Sequence, residues 1–106
     1  MSLPDESPAT PKWVFKATET FWSNFYALPS DQKEWARVCW ERFKANPFDP
    51  SLRPHKINSL STKAKRTVYA IEIEGDLRAI FWIDGTTVQT LDIGTHAIYK
   101  GGIPVV

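Results

Sequence analysis

Thr67 to Lys100, TVYAIEIEGDLRAIFWIDGTTVQTLDIGTHAIYK, leaves a folded chain few options. Three stretches rich in β-branched and aromatic residues are separated by the pairs Gly75-Asp76 and Asp84-Gly85, and a polar tail carries His96 and Tyr99. Thr67 to Glu74 alternates, with Tyr69, Ile71 and Ile73 on one side and Val68, Ala70, Glu72 and Glu74 on the other. Leu77 to Ile83 sets Leu77, Ala79, Phe81 and Ile83 against Arg78, Ile80 and Trp82. Asp-Gly between such runs is a strong hairpin signal, favouring a type I′ turn with positive φ at both central residues. With a third strand over Thr87 to Ile93, the pattern predicts an antiparallel meander.

One charged residue, Arg78, falls among large apolar neighbours in that pattern. On a half-solvated face it would pair with Glu72 or Glu74 of the adjacent strand. Held on a rigid strand, its guanidinium is also suited to clamping a phosphate or a developing oxyanion. Residue type alone leaves both readings open.

Upstream, Met1 to Lys12 carries Pro4, Pro8 and Pro11 among polar residues, the composition of a flexible arm. Residues 13–106 are expected to form a single domain. Trp13 to Ala17 is a candidate edge strand with Trp13 and Phe15 on one face. Thr18 is placed to cap a helix reaching about Leu28, whose stripe is Phe21, Trp22, Phe25 and Leu28. Ser30 is placed to cap a second helix to about Ala45, with Ala36, Cys39, Trp40 and Phe43 inward and Trp35 beside them. The pair makes a hairpin able to cover one sheet face. NPFDP, residues 46–50, then stops the helix.

Charge is uneven. Ser51 to Arg66 holds five Lys/Arg and no Asp/Glu, against six and seven before it and two and five after it. The connector SLRPHKINSLSTKAKR reads as a solvated loop, disordered around Ser59 to Lys65, or as an electrostatic footprint for a polyanion. Cys39 is alone and sits in a helical pattern, so it reads as a small buried hydrophobe. No apolar run is long enough to span a membrane, and the N-terminus lacks the pattern of a signal peptide, so a cytoplasmic protein is expected.

The succession NPFDPSLR, HKI, a strand, GDLRAIF, a strand and LDIGTHAIY resembles the RelE/ParE superfamily of toxins from bacterial type II toxin–antitoxin systems. The resemblance runs in order, with compatible spacing, over Val14 to Lys100. It implies an α+β fold in which an N-terminal strand and a helical hairpin pack on a twisted antiparallel sheet, ordered β-α-α-β-β-β. RelE-like members are ribosome-associated endoribonucleases that cut mRNA without a metal; each is silenced by an antitoxin that wraps around it. ParE-like members poison DNA gyrase.

The function implied is therefore a toxin cutting mRNA on the ribosome; the alternative is a gyrase-directed toxin or a relative that retains only antitoxin binding. No cofactor or metal is implied. The partners are a cognate antitoxin and either ribosome-bound mRNA or gyrase, with Trp22, Trp35 and Trp82 as candidate antitoxin contacts.

Residue by residue, Arg78 matches the family arginine after the GD turn and suits a phosphate. His96 matches the basic residue of the C-terminal motif and suits proton transfer. Tyr99 matches its aromatic, able to stack on a base or orient the 2′-OH. His55 and Lys56 match the basic pair before the long strands. Arg53, Lys63, Lys65, Arg66 and Lys100 are the candidate RNA contacts. Two departures stand out: Ala70, Ile71, Glu72 and Glu74 where some members carry lysines, and Ala97 where the motif often has Asp.

Overall fold

The computed structural model describes residues 13–106, so the arm expected over Met1 to Lys12 lies outside the described residues. β1 (Val14–Ala17) leads into α1 (Glu19–Tyr26) and α2 (Ser30–Ala45); after a 3-10 turn come β2 (His55–Lys56) and α3 (Asn58–Ala64). β3 (Tyr69–Glu74), β4 (Leu77–Asp84) and β5 (Thr87–Gly94) then form the meander, and a 3-10 helix (His96–Lys100) follows. The fold is α+β, as expected.

The five strands lie in the order β1-β5-β4-β3-β2. All neighbours are antiparallel except β1 and β5, which run parallel from Val14 opposite Thr87 to Ala17 opposite Thr90. The sheet is therefore mixed rather than purely antiparallel. Parallel pairing needs a long crossover, here the whole chain between β1 and β5, so nothing in VFKA itself reveals its direction.

The first hairpin loop falls at Gly75-Asp76 as expected, and the second is shifted by one residue from the type I′ turn expected at Asp84-Gly85. Glu74 pairs with Leu77 and Asp84 with Thr87, leaving Gly75-Asp76 and Gly85-Thr86 as the loops. Only the first residue of each has positive φ, +54° at Gly75 and +63° at Gly85. Glycine at the first central position is the II′ preference.

Thr18 caps α1 as expected. Its hydroxyl accepts from the Phe21 amide at 3.0 Å and donates to the Leu91 carbonyl at 2.6 Å, tying the helix start to β5. The cap of α2 is Pro29 rather than Ser30, which is the first helical residue. One sheet face packs Ile71, Ala79, Phe81, Val88 and Ile93 against Cys39 and Phe43 of α2. Trp40, expected inside, is 40% exposed.

The other face is covered by the connector, which was expected to be a loop. Ile57, Leu60 and Ala64 have the i, i+3, i+7 spacing of a short amphipathic helix. They pack with Val68, Ala70, Ile80 and Leu91, together with Ile98, Tyr99 and Ile103 from the C-terminal segment. Leu60 is fully buried. Ser61 bonds the Ile57 carbonyl and the Val68 amide, so β3 begins at Tyr69 rather than Thr67.

A shift in register between Ile80 and Phe81 reconciles both layers. Ile80 faces Asp92 but Phe81 faces Thr90, leaving Leu91 as an extra residue in β5. Val88 and Ile93 are five apart and would otherwise point to opposite faces; Leu91 faces α3 by ordinary alternation, and the bulge after it returns Ile93 to the α2 side.

Candidate functional site

The β3–β4 loop, the start of β4 and the C-terminal 3-10 helix converge at one end of the sheet. Arg78 and Gly94 are direct cross-strand partners, which brings the chain after β5 alongside the arginine. A Cβ built on Gly94 would lie 2.9 Å from Ile98 Cγ2, so glycine lets the 3-10 helix fold back this closely. Thr95 caps that helix, its hydroxyl accepting from the Ala97 amide at 3.3 Å.

Asp76 is the hub. Its carboxylate accepts from His96 Nδ1 at 2.9 Å to Oδ1 and 3.0 Å to Oδ2. Arg78 Nη2 lies 3.9 Å from the same Oδ1, and Arg78 Nη1 donates to the Gly75 carbonyl at 3.0 Å. The hydrogen bond from His96, with the Arg78 charge adding to it, holds the Asp76 carboxyl below the ordinary carboxylate range. An ionised carboxylate only accepts, so Nδ1 of His96 is the donor, and Nε2 has no hydrogen-bond partner among the described residues. The imidazole is 65% exposed and the Arg78 side chain 18%.

Arg78 thus pairs with neither Glu72 nor Glu74, although Glu72 is its cross-strand partner. Its guanidinium turns instead to the loop. Nearby, the Tyr99 hydroxyl oxygen is buried and has no hydrogen-bond partner among the described residues. Burial pushes its pKa up, against the lowering influence of the Arg78 charge. The phenol stays protonated, a donor with no acceptor among the described residues.

The remaining candidates stand apart. His55 Nδ1 donates to the Arg53 carbonyl at 2.8 Å, and no hydrogen bond or ion pair joins it to Arg78 or His96 among the described residues. His55 is opposite Ala70 on β2, two strands from β4, or about 10 Å at ordinary strand spacing. Lys56 is opposite Tyr69. Arg53 has φ of +51° after the 3-10 turn, Lys65 has φ of +59° at the end of α3, and Arg66 lies over Trp82. Lys63 donates to the Gly101 carbonyl at 3.2 Å, and Lys100 ends the 3-10 helix.

Asp76 is the member that sequence reasoning missed. It reads there as a turn residue, because its partner is twenty positions away. The readable signal was an acid beside a motif arginine in a loop pointing toward the C-terminal histidine.

A second feature lies across the sheet. Phe15, Phe21, Trp22, Phe25, Trp40 and Phe43 line much of an apolar groove of about 490 Å³ between the helices and the sheet. Trp22 is 47% exposed and stacks on the exposed Tyr26, with ring centroids 5.9 Å apart. Trp35 and Trp82 are half-buried. No helix among the described residues is long and apolar enough to cross a membrane.

No protein-family model matches the chain, and no curated protein matches it. Among solved structures, it is similar to a copper-bound mutant toxin from Helicobacter pylori. The TM-score is 0.52 at 20% identity, over 80% of this chain and 96% of that one. At that identity the likeness establishes a shared α+β fold, while chemistry has to be argued from the residues.

Proposed function

We propose that this chain is a RelE/ParE superfamily toxin of a type II toxin–antitoxin system, acting as a metal-independent endoribonuclease on ribosome-bound mRNA. The observation that carries the reading is the Asp76 carboxylate standing between the ring of His96 and the guanidinium of Arg78. Transesterification of RNA needs a base for the ribose 2′-OH and a cation for the charge gathering on phosphorus.

In this reading Nε2 of His96 takes the 2′-OH proton as the 2′-oxygen attacks phosphorus. Asp76 stabilises the resulting imidazolium, as a buttressing carboxylate does in a nucleophile–base–acid array. Arg78 binds the non-bridging phosphate oxygens. The bond to the 5′-oxygen breaks, that oxygen takes a proton from solvent, and a 2′,3′-cyclic phosphate remains. Tyr99, its hydroxyl buried, packs beneath a base through its ring. Lys56 and His55, with Arg53, Lys63, Lys65, Arg66 and Lys100, contact the backbone further out.

The antitoxin, in the same reading, covers the apolar groove and the Trp22–Tyr26 pair. Contiguous exposed aromatics are costly to leave in water and suit a permanent partner.

Induced expression in a bacterium lacking the antitoxin tests the proposal, with Arg78→Ala beside the unaltered chain. Growth arrest with cuts in translated mRNA, both lost in Arg78→Ala, is expected. Arrest without cuts would move the assignment to a gyrase-type target.

A further inference from the structure

Arg66 leaves α3 immediately after Lys65, whose left-handed backbone, φ +59°, reverses the chain. The reversal lays the Arg66 guanidinium over the indole of Trp82, with Cζ 4.6 Å from the ring centroid. Stacking on an aromatic face holds a guanidinium plane in place while leaving its N–H edge and its outer face available. No ion pair among the described residues engages Arg66.

An open recess lies beside it, lined by Lys56, Asn58, Ser61, Thr62, Arg66 and Thr67. The hydroxyls of Ser61 and Thr62 donate to the carbonyls of Ile57 and Asn58. The ammonium of Lys56, the amide of Asn58 and the hydroxyl of Thr67 are left to meet a ligand. The stretch from Ser51 to Arg66 contains no acid to neutralise these cations.

Trp82 shares a β4 face with Ile80 and Arg78 in the alternation of the strand. It stands four residues from Arg78, or about 13 Å along the strand. That is the separation of two subsites on an oligonucleotide rather than two contacts on one phosphate.

We propose that Arg66, stacked on Trp82, forms with Lys56, Asn58 and Thr67 a nucleotide-binding subsite for single-stranded RNA. One base stacks on the outer face of the guanidinium and the adjoining phosphate rests on Lys56. Unpaired bases are commonly held on aromatic rings and guanidinium planes, and such stacking tolerates any base. A protein carboxylate would instead take the N–H edge and gain nothing from a guanidinium held over a ring.

The subsite rests on the RNA reading above, and its test is separable from it. Binding of the full chain is measured with a 2′-O-methylated oligonucleotide of about six nucleotides, which cannot be cut, and with an abasic oligomer of the same length. The unaltered chain is expected to bind the base-bearing oligomer about tenfold more tightly. Arg66→Lys should keep the affinity for the abasic oligomer and lose the preference. Trp82→Leu, checked for folding by circular dichroism, should lose it too. No preference in the unaltered chain, or a preference kept by Arg66→Lys, overturns the subsite even if mRNA is cleaved. A preference lost with Arg66→Lys in a chain that cuts no mRNA upholds the subsite and rejects the nuclease.

Discussion

Asp76 and His96 are twenty positions apart, and both carboxylate oxygens of the one lie within 3.0 Å of Nδ1 of the other. The pair joins the β3–β4 loop to the helix after β5 and leaves Nε2 as the ring nitrogen with no partner among the described residues. In the proposed reaction that makes Asp76 a positioning residue. Asp76→Ala should lower cleavage about tenfold to a hundredfold, less than the roughly 10²–10⁴-fold expected when His96→Ala removes the base itself. Imidazole ¹⁵N shifts should report Nδ1-protonated His96 in the unaltered chain and a mixture of tautomers in Asp76→Ala. An unchanged tautomer would show that the carboxylate does not orient the ring.

The same pair has a pH signature. The folded Asp76 carboxyl has its pKa lowered by the His96 hydrogen bond, so it contributes stability above the unfolded carboxylate value, about pH 3.9. That contribution is lost as pH falls through the lower folded value. Melting curves of the unaltered chain and Asp76→Asn should therefore differ above the unfolded carboxylate value and converge as pH falls through the lower folded one. A constant gap across that range would contradict the assignment.

Leu60 tests the layer that the connector builds. It is the fully buried residue of α3, packed against Val68, Ala70, Ile80 and Leu91. Leu60→Ala should destabilise the fold by about 2–5 kcal/mol, read by denaturant unfolding. A disordered connector would give almost no change.

This layer marks the limit of what could be read from sequence. The meander was legible because Gly75 and Gly85 punctuate stretches of strict alternation, and α1 because Thr18 precedes an aromatic stripe. α3 was not, because three apolar residues among Ser, Thr and Lys make a helix of about two turns whose stability comes from the sheet beneath it. The parallel β1 and the Leu91 bulge were hidden for the same reason: each depends on pairing with distant chain. Of the site, Arg78, His96 and Tyr99 were legible as motif positions. Asp76 was not, since its role exists only once Gly94 lets the chain fold back.

Gly94 gives a further test of that return. An added Cβ would meet Cγ2 of Ile98 at 2.9 Å, and a β-branched side chain has little freedom to move aside. Gly94→Ala should cost about 1–3 kcal/mol and weaken the His96–Asp76 contact. Gly94→Ala combined with Ile98→Ala should lose the steric part of that penalty, measured as a non-additive unfolding free energy in a double-mutant cycle.

The most direct measurement is mapping of mRNA ends on translating ribosomes supplied with the purified chain, beside Arg78→Ala and His96→Ala. Cuts ending in 2′,3′-cyclic phosphate, reduced about a hundredfold or more in His96→Ala and abolished in Arg78→Ala, are expected. Cleavage that persists undiminished in both variants, or no cleavage from the unaltered chain, would contradict an RNA-cutting role for the Asp76-centred site.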